Sequence, residues 1–158
     1  MINIRVSEEK DKKKILELIN EEKIKITDLD TGELGNSMVV CDGERIIGYS
    51  NYIKIPNLNI AFVDMLIINN TYRGQYMGDG LIKSLLNLAD KRQIKKVYAI
   101  EENNNSAFFK KVGLTKREFK PSEDISKYIK KDLGADGIIN VFEAILPDFF
   151  NKACKSKG

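Results

Sequence analysis

The chain has no histidine, two cysteines and three prolines in 158 residues. Without histidine, acid–base chemistry falls to carboxylates, Tyr, Lys, Cys or water. Cys41, in a predicted strand, and Cys154, in a lysine-rich tail, have no metal-ligand spacing, so no metal is expected and both read as free thiols. No apolar stretch approaches the ~18 residues a membrane helix needs, and the N-terminus lacks a basic-then-apolar signal pattern. No membrane association is expected, and the cytosol is the expected compartment. Charge of one sign is also scarce: 26 basic against 23 acidic residues leave +3, too balanced for a protein whose main partner is nucleic acid. No Pro- or Ser-rich linker, repeat or low-complexity tract divides the chain, so residues 1–158 are expected to form one domain with a real core.

What is present centres on Ile60 to Ile94. An apolar run, Ile60 to Ile68, meets a polar break at Asn69-Asn70-Thr71-Tyr72. A loop from Arg73 to Gly80 follows, and Leu81 to Arg92 reads as a helix. In such a strand–glycine loop–helix, unpaired backbone N–H groups and the positive end of a helix dipole converge on one point, which suits a phosphate or pyrophosphate. Glycine lets an anion approach the backbone without a Cβ in the way. Asp79 pulls the other way, since it can cap the helix with no ligand. The stretch is neither G-x-x-x-x-G-K-[ST] nor G-x-G-x-x-G, so neither an NTPase loop nor a dinucleotide fingerprint is supported.

The order of elements predicts a mixed sheet. Ile2, Ile4 and Val6 alternate as a first strand, and Ser7 is placed to cap a helix carrying Ile15, Leu16, Leu18 and Ile19. Residues 21–36 read either as a short second helix or as an extended lid. Met38–Cys41 and Arg45–Ile53 are strands joined at Asp42-Gly43. Val97–Ile100 follows a helix and so should run parallel to Ile60–Ile68. Asn103–Val112 reads as a helix stopped by Gly113, and Leu114–Phe119 and Ile138–Leu146 as strands able to pair with each other. Between those two strands, Ser122 caps a helix predicted to reach Lys131, broken at Gly134–Gly137.

The stretch from Ile68 to Val97 resembles the acetyl-CoA loop of the GCN5-related N-acetyltransferases (GNAT), where a strand ending in Val leads to R-G-x-G-x-G-x-[AG]-L. Without gaps, Ile68 falls on the Val, Arg73-Gly74-Gln75 on the start of the loop, and Met77-Gly78-Asp79-Gly80-Leu81 on the start of the helix. Tyr76 stands where the first glycine of R-x-x-G-x-G is expected. The resemblance covers roughly residues 1–119 and implies an α/β fold, with a mixed, mostly antiparallel central sheet flanked by helices and a splayed parallel strand pair at the acetyl-CoA site. Residues 122–137 are then a helical insertion before the last strand, acting either as a cap on the sheet or as a wall of the substrate site.

The resemblance also implies an activity: acetyl transfer from acetyl-CoA, as cosubstrate, to the amine of a small molecule or an amino-acid-like compound. The implied cradle is Arg73, Gly74, Gln75, Tyr76, Met77, Gly78 and Asp79, with the main chain of Ile67 and Ile68 holding the pantetheine arm. Asn104, at the start of a helix, either hydrogen-bonds CoA or belongs to the helix cap. Asp64, the one carboxylate in an apolar strand, sits four residues before Ile68, where the family often carries the base for the amine proton. Glu101 and Glu102 are its rivals. In the family's A-x-x-[LF]-Y-x-K-x-G-F pattern, Phe109 occupies the tyrosine place, so the usual acid for the thiolate is missing and Tyr72, Tyr76, Tyr98 or solvent must serve. Phe108 and Phe109 then read as packing residues, one of them against pantetheine. A degenerate acyl-CoA-binding sensor without turnover and a protein or peptide N-acetyltransferase are the alternatives, and assembly as a homodimer stays open.

Overall fold

The computed structural model describes residues 1–22, 36–74, 76–102, 105–129 and 135–155. In chain order the elements are β1 (Ile2–Val6), α1 (Lys12–Glu21), β2 (Ser37–Asp42), β3 (Arg45–Lys54), β4 (Ile60–Ile68), α2 (Met77–Lys91), β5 (Lys96–Ile100), α3 (Ser106–Val112), β6 (Thr115–Phe119), α4 (Glu123–Ser126), β7 (Ile139–Ile145) and α5 (Asp148–Lys155). Strand order in the sheet is β1-β2-β3-β4-β5-β7-β6. Neighbours β1–β2, β2–β3, β5–β7 and β6–β7 are antiparallel, while β4–β5 is parallel and registers Ile60–Phe62 against Lys96–Tyr98. This is the mixed, mostly antiparallel sheet with a parallel pair that the sequence predicts. The residues group into two compact units, Met1–Ile53 with Val63–Lys91, and Lys54–Phe62 with Arg92–Gly158.

In the first unit, Ile15, Leu18 and Ile19 of α1 are buried with Val39, Cys41, Tyr49, Met65 and Ile67. Their i, i+3, i+4 spacing makes one stripe of the helix, and the charged remainder faces water. The helix does not start at a Ser7 cap as predicted. Glu8 opens a 3-10 turn, Glu9–Asp11, and its N–H donates to Asp11 Oδ2 at 2.8 Å. Asp11 is in turn gripped by Arg5 of β1 at 2.6 and 2.8 Å, which holds its carboxyl below the usual range. A buried charge needs such a partner, and supplying it moves the cap four residues along. Ser7 is itself buried.

The β2–β3 hairpin turns on Gly43-Glu44 rather than Asp42-Gly43, because Asp42 still pairs with Arg45. Gly43 has φ +61, which suits the first central place of a two-residue turn. Gly48 does a different job on β3. A Cβ there would lie 2.9 Å from both Ile68 Cδ1 and Val40 Cγ2, so these two side chains close over it. Gly48→Ala should therefore overpack the unit and lower stability by about 1–3 kcal/mol, read as a lower urea midpoint. An unchanged midpoint would mean that Val40 and Ile68 can turn aside.

The second unit is built on β5, β7 and β6, with β7 in the middle of the three. Pairing of β7 with β6 is as predicted, and β5 occupies its other edge. Phe62, Tyr98 and Phe119 cluster with ring centroids 4.8–6.2 Å apart. Ile125 and Ile129, from the insertion, pack on that cluster. The predicted helix from Ser122 to Lys131 is a single turn, α4: Ser122 does cap it, but the chain turns after Ser126 to deliver Ile129 to the cluster. Lys130 and residues 131–134 lie outside the described residues. Helix α5, unpredicted, sets Phe149 against Gly113, where a Cβ would lie 3.4 Å from its ring. Gly113 itself ends α3 at φ +116, as its place after Val112 predicts.

Candidate functional site

In the first unit, β4 runs into a 3-10 turn at Asn70–Tyr72, a loop, and α2. Helix α2 begins at Met77 and not at Leu81, so Gly78 and Gly80 lie in its first turn. The N–H groups that open a helix have no partner one turn back; Gly80 N–H closes the first such bond, to the Tyr76 carbonyl at 3.2 Å, and the dipole makes that end positive. The loop before it holds two residues in the left-handed region, Gly74 at φ +83 and Tyr76 at φ +63. Glycine takes that conformation freely, whereas a side chain raises its energy by about 1–2 kcal/mol. Tyr76 is thus held in a backbone shape that glycine adopts more readily, and the residue is 77% exposed. Gln75 lies outside the described residues. Asp79 sits inside the first turn and pairs with Lys83 at 3.0 Å, which offsets its charge where an anion would come.

Arg73 is tied inward. Its Nε donates to the Ile68 carbonyl at 3.1 Å, Nη1 to Asn70 Oδ1 at 3.3 Å and Nη2 to Glu22 Oε2 at 3.1 Å. Glu22 also accepts the Asn70 N–H at 2.7 Å, and Glu21 accepts from the Asn69 amide at 3.4 Å. Glu21, Glu22, Asn69, Asn70 and Arg73 line a shallow recess beside the end of β4. Ile67 is buried toward α1, and Ile68 covers Gly48. The Ile68 carbonyl, part of the Ile67-Ile68 main chain expected to hold pantetheine, accepts the bond from Arg73.

Asp64 is half-buried on β4. Among the described residues Asn51 is its hydrogen-bond partner, donating from Nδ2 to Oδ2 at 3.3 Å. Asn51 Oδ1 accepts the Met65 N–H at 3.0 Å, and Ser50 Oγ donates to the Met65 carbonyl at 2.6 Å. Both main-chain groups of Met65 are therefore met by side chains of β3. The same arrangement orients the Asn51 amide, since its oxygen must face the N–H and its nitrogen the carboxylate. Sequence reasoning passed over Ser50 and Asn51. The available signal was a polar pair inside an otherwise largely apolar strand, and the whole stretch from Ile46 to Tyr52, the pair included, is buried.

In the second unit, Glu101 accepts from Ser106 Oγ at 2.8 Å and pairs with Lys116 at 2.9 Å. Lys116 foremost, with Ser106, holds its carboxyl below the usual range. Glu102 is exposed, and its N–H donates to Asn105 Oδ1 at 3.0 Å. Phe109 is buried, stacked on Phe142 at 5.5 Å and edge-on to Phe108 at 5.2 Å. Packing is therefore its role within this unit, and Phe108 is the more open of the two rings. Asn103 and Asn104 lie outside the described residues. Tyr98 is buried in the aromatic cluster, and burial, with Glu143 beside it, pushes its hydroxyl up to about 12. Tyr72 belongs to the first unit, where its hydroxyl donates to Asp42 Oδ2 at 2.7 Å, a bond that raises its pKa.

No curated protein matches the chain by sequence. Solved structures do match by fold. An acetyltransferase of the GNAT family from Staphylococcus aureus Mu50 superposes with a TM-score of 0.67 at 20% identity, covering 92% of this chain and 99% of that one. The diaminobutyrate acetyltransferase EctA from Paenibacillus lautus, solved with L-2,4-diaminobutyric acid and coenzyme A, gives 0.62 at 16% identity, covering 90% and 94%. The N-acetylglutamate synthase from Neisseria gonorrhoeae, complexed with coenzyme A and L-arginine, gives 0.73 at 13% identity, covering 92% of this chain. This chain spans about a third of that synthase, 33%. By sequence, residues 5–114 match the acetyltransferase (GNAT) family. That match takes in the loop, the base candidate and the helix stop at Gly113, and the chain belongs to the GNAT family of acetyltransferases.

Proposed function

We propose that the protein transfers an acetyl group from acetyl-CoA to the amine of a small, amino-acid-like molecule. The observation that carries this reading is the run from β4 into α2. A strand end, a loop with Gly74 and Tyr76 at positive φ, and a helix N-terminus whose one acidic side chain is neutralised by Lys83 together make an anion cradle. In a GNAT chain this cradle suits the pyrophosphate of CoA. Backbone N–H groups from Gly74 to Asp79 bind the phosphates in this reading, and the main chain at Ile67-Ile68 aligns the pantetheine arm.

Asp64 takes a proton from the acceptor ammonium, directly or through one water, and the freed nitrogen attacks the thioester carbonyl. The carbon–sulfur bond then breaks and the thiolate leaves. With Phe109 buried, and the Tyr72 and Tyr98 hydroxyls engaged by Asp42 and Glu143, Tyr76 or solvent is left to supply the proton to sulfur. Asp64 is preferred to Glu101 because the ion pair with Lys116 makes Glu101 a weaker base. The same lack of a dedicated acid favours a second reading, an acyl-CoA-binding module without turnover.

The discriminating assay is thiol release from acetyl-CoA across a panel of amines, polyamines, amino acids and peptides. The expected result is release clearly above the uncatalysed rate with at least one small amine. CoA binding with no transfer to any amine would select the sensor reading, and activity confined to peptides would select a protein acceptor.

A further inference from the structure

Glu22 ends α1 in a place that helix energetics does not explain. It is the C-cap residue, it follows Glu21, and the last turn carries no basic side chain. Negative charge at a helix C-terminus opposes the dipole and weakens the helix by a few tenths of a kcal/mol or more. Its side chain is nonetheless only 11% exposed, against 55% for its partner Arg73. A carboxylate drawn that far out of water needs compensation. Here it comes from the start of the cofactor loop: the Arg73 guanidinium at 3.1 Å and the Asn70 N–H at 2.7 Å.

Arg73 extends the tie in both directions. It holds the Ile68 carbonyl at the end of β4 and the Asn70 side chain within the turn. The Asn69 side chain completes the fold of the turn by accepting the Thr71 N–H at 3.0 Å. The strand end and the turn leading to the loop are therefore fastened to the end of α1 chiefly through the Glu22 carboxylate, with Glu21 adding one longer bond from the Asn69 amide at 3.4 Å. The next two described residues with unusual backbone are Gly74 and Tyr76, both at positive φ. A loop carrying an unfavourable Tyr conformation keeps it only if its ends are held.

We propose that Glu22 is a positioning residue for acetyl-CoA. It fixes Arg73 and Asn70 so that the loop presents its N–H groups in a binding geometry, and the Arg73 side chain works as a latch inside the protein rather than as a ligand to phosphate. This rests on the acetyl-CoA reading above. The two roles of Arg73 predict opposite signs. If Arg73 bound phosphate directly, Glu22 would compete with the cofactor for it, and removing Glu22 would tighten binding. If Arg73 is a latch, removing Glu22 loosens the loop and weakens binding.

The experiment is titration calorimetry with CoA on wild type, Glu22→Ala, Glu22→Gln, Arg73→Ala and the double variant Glu22→Ala/Arg73→Ala, with steady-state kinetics alongside. Glu22→Ala should weaken CoA binding by roughly three- to thirtyfold, the range expected for residues coupled in one hydrogen-bond network. The KM for acetyl-CoA should rise by a similar factor, while kcat stays within about twofold. Glu22→Gln, which keeps an oxygen for the Asn70 N–H and loses only the charge, should recover part of the loss and also serves if the alanine variant folds poorly. The double variant should bind no worse than either single one. Binding by Glu22→Ala or Glu22→Gln equal to or tighter than wild type overturns the latch, as does a further loss in the double variant. No CoA binding by wild type overturns the acetyl-CoA reading itself, and the latch with it.

Discussion

Asp64→Asn is expected to lower kcat by roughly ten- to ten-thousandfold, the range for losing a positioned base, with the low end reflecting replacement by water. The substitution is nearly isosteric. Asn51 keeps its bond to the Met65 N–H, and Ser50 keeps the Met65 carbonyl, so the β3–β4 contact survives. Melting temperature and CoA affinity should therefore stay near wild type, which separates a chemical loss from a structural one. Rates measured across the pH range with a reactive amine are the test. Equal activity of variant and wild type at every pH would remove Asp64 from the mechanism. Glu102 would then be the next candidate, because Glu101 is occupied by Lys116 and Ser106.

The residues that carry the site were legible for a local reason. Apolar runs bounded by Gly and Asn mark β2 to β5, and a strand leading into glycines and a periodic apolar helix has few other readings. The sequence puts the start of α2 too late, at Leu81, because glycine reads as a loop signal. Gly80 is a packing residue instead: a Cβ there would come 3.2 Å from Ile4 Cδ1, so its smallness lets α2 settle on β1.

What escaped the sequence depends on partners distant along the chain. Glu22 and Arg73 are 51 residues apart, and nothing in Glu21-Glu22 announces an ion pair with a loop. Ser50-Asn51 reads as two polar interruptions until β4 is set beside β3 and Met65 is seen to need both. The early stop of α4 is of the same kind, since Ile129 leaves the helix for an aromatic cluster drawn from β4, β5 and β6. Tyr76 is the converse case. Its identity argued against a glycine-like backbone, and the loop imposes that backbone all the same.

Gly78→Glu is expected to abolish CoA binding while leaving the fold intact. With wild type at a CoA concentration about a hundredfold above Kd, ligand linkage stabilises the native state by about 2.7 kcal/mol. For a chain of this size that corresponds to a rise in melting temperature of roughly 5–10 °C. In the variant the rise should vanish, because a carboxylate in the first turn of α2 puts like charge and bulk where the pyrophosphate must sit, and Lys83 is already matched to Asp79. The unliganded variant provides its own control. Glutamate is a better helix former than glycine, and its charge suits a helix N-terminus. Both effects work to hold the unliganded melting temperature near or above that of wild type, so loss of the CoA shift in a well-folded variant locates the pyrophosphate at this helix start. A full shift retained by a folded Gly78→Glu protein would place the cofactor elsewhere, and the cradle between Gly74 and Asp79 would then be only a strand-to-helix turn.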